Sequence, residues 1–155
     1  MPEYFERIKA GAFDRALAER QDVRALFNHD PNHVLGRSKS GTLRMTADSV
    51  GLRYEVDLPN TQTARDLAES VKRGDVSGSS FAFSVTSEGQ EIERAKDGTT
   101  YRNIKDADLY DVSVVTYPAY ESATSGIRTA ENVEEARAAL ERWESEQNGA
   151  IDAVR

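Results

Sequence analysis

The sequence predicts an α+β protein: a compact, mostly antiparallel sheet or small β-barrel flanked by two or three helices. Three observations carry that prediction. Apolar and polar residues alternate in several short runs, helix start and stop signals bracket others, and turn pairs such as Pro59-Asn60 and Asp97-Gly98 separate them. At 155 residues, one domain is the natural count, with room for a modest core.

Residues 3–8 and 11–17 read as helical, because Phe13, Ala16 and Leu17 recur at helix spacing. A polar loop at 19–22 leads to an apolar buried strand at 23–27. Residues 28–33 (Asn28, His29, Asp30, Pro31, Asn32, His33) are turn formers that cannot form a strand interior. The clearest hairpin pairs 42–47 with 52–58 around a turn at 48–51. Leu52, Tyr54, Val56 and Leu58 share one of its faces.

Residues 63–73 carry helix punctuation at both ends. Thr63 and Asp66 resemble a capping box, Gly74 suits the stop, and Leu67 and Val71 form the buried stripe. Alternation returns at 81–85. Residues 91–95 and 99–103 pair across Lys96-Asp97-Gly98, since Asp-Gly favours a tight hairpin turn. An apolar strand at 109–117 stops at Pro118. Residues 130–146 form an acidic helix with Val133, Ala136, Leu140 and Trp143 on one face. The division expected is a body over 1–127 and an acidic helical tail over 128–155.

Composition removes several function classes. Acids outnumber bases 27 to 20, a net charge of −7, which disfavours a protein whose main work is gripping phosphate. No apolar run approaches the roughly 18 residues of a membrane span, and residues 1–10 are too polar for a signal peptide. Without cysteine there is no disulfide, thiolate metal site or cysteine nucleophile. The expectation is a soluble cytoplasmic protein with neither nucleic acid nor membrane as partner.

Three features carry chemistry. His29 and His33 lie in one turn, but two histidines four apart converge on a metal only from a helix, which Pro31 would break. A metal site is therefore disfavoured, and two surface-turn histidines are the plain alternative. Ser77-Gly78-Ser79-Ser80 precedes a strand and is either ordinary loop chemistry or a presented nucleophile. It lacks the Gly-x-Ser-x-Gly spacing of a hydrolase elbow, and the chain has no phosphate-binding glycine loop or dinucleotide fingerprint. Asp111 interrupts an apolar strand, so it either points outward or has a partner that offsets its desolvation. Together these features are the acid, imidazole and hydroxyl of a serine hydrolase.

A series of short motifs then follows in order: Gly11-Ala12-Phe13, Phe27-Asn28-His29-Asp30 with Val34-Leu35-Gly36-Arg37, Gly78-Ser79-Ser80-Phe81-Ala82-Phe83, and residues 109–119. From about residue 5 to residue 120 the chain resembles the prohead (capsid maturation) serine proteases of tailed phages and prophages. That resemblance implies a fold related to the herpesvirus maturation protease, a compact β-barrel flanked by helices, with no cofactor. It implies His29 as general base, Ser80 as nucleophile and Asp111 as the acid that orients the histidine. Many relatives carry Glu there, so Asp111 shortens the reach by one methylene.

The implied substrate is the scaffold-like segment of the phage major capsid protein, and the protease itself, inside the immature prohead. A homodimer follows only from the herpesvirus analogy. Relatives commonly have a further strand or two before Gly-Ala-Phe, whereas Met1 lies only ten residues ahead of it, so either the barrel is incomplete or the start codon is assigned late. That departure keeps open the alternative of a non-catalytic assembly protein of the same fold, behind the protease reading. Ser79 competes with Ser80, and His33 with His29. Strand alternation puts Ser79 with Phe81 and Phe83, and Ser80 on the opposite face.

Overall fold

The structure, a computed structural model, describes residues 4–49, 51–118 and 125. Its strands form three sheets. β1 (Tyr4–Ile8), β8 (Thr100–Ile104) and β7 (Gln90–Arg94) make one, in the order β1-β8-β7. A second contains β3 (Asp30–Arg37), β2 (Arg24–Phe27), β9 (Asp108–Val115) and β6 (Gly78–Ser84), in that order. The hairpin of β4 (Leu43–Ala47) and β5 (Leu52–Val56) is the third. Helices α1 (Asp14–Ala18) and α2 (Gln62–Arg73) complete the fold, with a short 3-10 turn at Ser87–Gly89.

The α+β class, rich in strands, is as predicted; the closed barrel is not. Among the described residues the four-stranded sheet ends on β3 and β6, and the three-stranded sheet on β1 and β7. The β3 edge is unsuited to closure. Pro31 lacks an N–H, and the Asn32 N–H is taken by the Asp30 carboxylate at 2.8 Å. The topology provides no link to the herpesvirus protease. Pairing is mostly antiparallel, yet β1 runs parallel to β8 and β2 parallel to β9.

Two further expectations need correction. Residues 4–8 are strand, not helix, because β8 supplies backbone partners from Tyr4↔Thr100 to Ile8↔Ile104. Cross-strand contacts reinforce the pairing: Phe5 stacks on Tyr101, and Arg102 donates to Glu6 at 2.7 Å. Residues 30–33, read as turn, begin strand β3. The register slips between Leu26↔Val34 and Phe27↔Asp30, so the intervening residues bulge from the sheet edge.

The core sits between the sheets. Ala25, Val112 and Phe81 cover it from the four-stranded sheet, Ile8 and Ile104 from the three-stranded sheet, and Leu43 and Leu52 from the hairpin. Phe13, at the entry to α1, meets Phe81 edge-on at 5.1 Å, a geometry worth about 0.5–1.5 kcal/mol beyond area burial. Helix α2 contributes the predicted Leu67 and Val71 and, in addition, Ala64. Its cap is Thr61 rather than Thr63: the Thr61 hydroxyl accepts from the Ala64 N–H. The predicted hairpins 42–58 and 91–103 are both present. The acidic helix at 130–146 lies outside the described residues.

Gly74 ends α2 at φ 83°, with open space around the position a Cβ would take. Gly89 differs, since a Cβ there would stand 2.3 Å from the Asp106 carbonyl oxygen. Gly74→Ala should therefore cost about 1 kcal/mol, the left-handed penalty alone. Gly89→Ala should cost more, because backbone must move. Urea melts of the two variants check that order.

Candidate active site

The β2–β3 connection is a two-residue hairpin, Asn28-His29, closed by the pair Phe27↔Asp30. Both residues are left-handed, at φ 53° and 57°, as a type I′ turn requires. Asn tolerates that conformation through its short polar side chain. His29 occupies the position where such turns favour glycine. The strain is held by bonds to the end of β9 and to the residue that follows it. The Asn28 N–H donates to the Val114 carbonyl at 2.9 Å, and the Thr116 N–H donates to Asn28 Oδ1 at 2.9 Å.

This turn swings the His29 ring toward β9, where Nδ1 lies 2.6 Å from Asp111 Oδ1. An ionised carboxylate only accepts, so Nδ1–H donates and Nε2 is left facing away from the acid. The side chain of Asp111 is 14% exposed and that of His29 37%, so the acid is shielded while the imidazole can meet a ligand. The shorter side chain at position 111 thus still reaches the histidine.

A bulge sets the direction of Asp111. Ala82 pairs with Asp111 and Phe83 with Leu109, leaving Tyr110 unmatched. Leu109 consequently stays in the core while Asp111 lies on the opposite face beside Ser113, whose hydroxyl donates to it at 2.9 Å. Without the extra residue, alternation would send Leu109 and Asp111 to the same side.

The paired serines separate as alternation requires. Ser79, fully buried, faces the core and its hydroxyl lies 2.7 Å from the Tyr54 hydroxyl. Burial pushes the Tyr54 phenol up to about 12, with the Ser79 hydrogen bond opposing. Ser80 pairs with Ser113 and so shares the face of Ser113 and Asp111. Directly opposed residues have Cα atoms about 4.5–5.5 Å apart. Among the described residues no hydrogen bond joins the Ser80 hydroxyl to His29.

The model of the family described as caudovirus prohead serine protease matches residues 1–137 of the 155-residue chain. The chain belongs to that family. No curated protein and no solved structure matches it. Prohead serine protease activity in caudoviruses is what the family indicates, with capsid protein as the implied substrate. No helix among the described residues is long and apolar enough to cross a membrane.

In this prohead protease family member the remaining histidine stands apart. His33 contacts Thr63 of α2 at 3.4 Å and Asp30 at 3.6 Å. No cluster of three metal-ligating side chains occurs among the described residues. Reasoning from sequence overlooked Ser113, which links the His29 backbone to the Asp111 carboxylate. The available signal was its two-residue spacing from Asp111 in an apolar strand. The backbone of Asn28-His29 yields a direct test. His29→Gly should be more stable than His29→Ala by about 1 kcal/mol, because both lose the imidazole but only glycine accepts φ 57° without strain. Equal thermal midpoints would contradict the strained turn.

Proposed function

We propose that this chain is a serine endopeptidase in which Ser80 attacks the scissile carbonyl, His29 is the general base and Asp111 orients His29. The observation that carries the reading is the 2.6 Å His29–Asp111 bond beside Ser113, the strand partner of Ser80. His29 Nε2 takes the Ser80 proton as the acyl bond forms and returns it to the departing amine. Asp111 holds the tautomer and stabilises the imidazolium. In unliganded sites the nucleophile–base bond is often open and tightens when substrate binds.

The substrate is the scaffold-like segment of the phage major capsid protein within the immature prohead, together with the protease itself. Removing internal protein makes space for DNA. The site needs no metal or cofactor for this chemistry, because the hydroxyl, imidazole and carboxylate supply nucleophile, base and counter-charge.

Co-expression with the cognate capsid protein, read by intact-mass spectrometry, tests the proposal. Capsid protein should be shortened by the unmutated chain and left full length by Ser80→Ala and His29→Ala. Ser79→Ala and His33→Ala should retain most cleavage, although Ser79→Ala deprives Tyr54 of a buried partner and should cost about 1–3 kcal/mol of stability. Asp111→Asn should lower kcat by about 10³–10⁴-fold, through the wrong histidine tautomer. Cleavage by Ser80→Ala would sink the scheme. Full-length capsid protein with every variant and with the unmutated chain would favour a non-catalytic assembly role.

A further inference from the structure

We infer that Ser113 is a positioning residue of this site, acting through both His29 and Asp111; the inference rests on the proposed roles of those two. Ser113 lies mid-strand in β9 and is fully buried. Its neighbours Val112 and Val114 turn toward the core, while Ser113 lies on the other face with Leu26 and Ser80 as strand partners. A hydroxyl in such a place is costly unless both its donor and acceptor capacities are used. Here both are used. The Ser113 O–H donates to Asp111 Oδ1 at 2.9 Å, and Ser113 Oγ accepts the His29 backbone N–H at 3.1 Å.

The two bonds fix different things. The donated bond holds Asp111 Oδ1, the same oxygen that takes the His29 Nδ1–H. It therefore sets the carboxylate's rotation about the direction of the ring. The accepted bond pins the backbone of His29, a residue in the left-handed region at φ 57° that would otherwise be inclined to relax. One hydroxyl thus locates both ends of the His–Asp pair, and it does so directly opposite Ser80 on the neighbouring strand. Alanine would remove both restraints and leave the His29 N–H without that acceptor. Cysteine would restore volume with a poor donor and acceptor, and threonine would restore the hydroxyl.

The test uses the full chain and two readouts. The first is kcat and KM for capsid-protein cleavage. The second is the downfield proton resonance of the His29 Nδ1–H···Asp111 bond, observed by NMR without substrate. Ser113→Ala and Ser113→Cys should fold, lower kcat by about 10- to 100-fold with little change in KM, and weaken or broaden the proton signal. Ser113→Thr should recover both readouts relative to Ser113→Ala. Unchanged kcat and resonance in Ser113→Ala would overturn the inference. So would recovery by Ser113→Cys, which would reduce the residue to a space-filler. Cleavage by His29→Ala would instead defeat the underlying roles, while the resonance would still report whether Ser113 holds the pair.

Discussion

Strand β9 is hydrogen-bonded on both sides, parallel to β2 and antiparallel to β6, and the candidate site depends on that double pairing. The β2 pairing ends in the Asn28-His29 turn and delivers the imidazole to one side of β9. The β6 pairing sets Ser80 opposite Ser113 on the other side. Asp111 and Ser113 belong to β9 itself. Residues remote in sequence are therefore brought together by main-chain register, which a single-residue slip would destroy for all of them.

Two local irregularities convert this register into a site. The bulge at Tyr110 turns Asp111 away from the core without exposing Leu109. The type I′ turn gives His29 a backbone conformation that glycine would adopt more easily. The turn is braced from β9, where the Val114 carbonyl accepts the Asn28 N–H and the Ser113 hydroxyl accepts the His29 N–H. Leu26 and Val115, on the same face of the sheet as Ser113, are buried. At the start of β6, Gly78 leaves room for the Pro118 ring, which would stand 2.9 Å from any Cβ there.

Local patterns were readable from sequence where local physics decides the outcome. The β4–β5 and β7–β8 hairpins follow alternation and turn chemistry, and Gly74 stops α2 as its left-handed φ requires. The failures are non-local. Residues 4–8 mimic a helix because Phe5 and Ile8 are three apart, and only β8 makes them a strand. Residues 30–33 look like turn because their composition is that of an edge bulge. The motif order suggested roles for His29, Ser80 and Asp111, and strand alternation set Ser80 and Ser79 on opposite faces, as the β6 register does. What no local pattern could supply was the contact across 82 residues between His29 and Asp111, or the use of Ser113 between them.

Covalent labelling with a serine-directed fluorophosphonate, followed by peptide mapping, tests the central claim most directly. An adduct on Ser80 that disappears in His29→Ala would show that β9 pairing produces an activated nucleophile there. An adduct on Ser79 or another serine, or labelling of Ser80 that persists at the same rate without His29, would contradict the account.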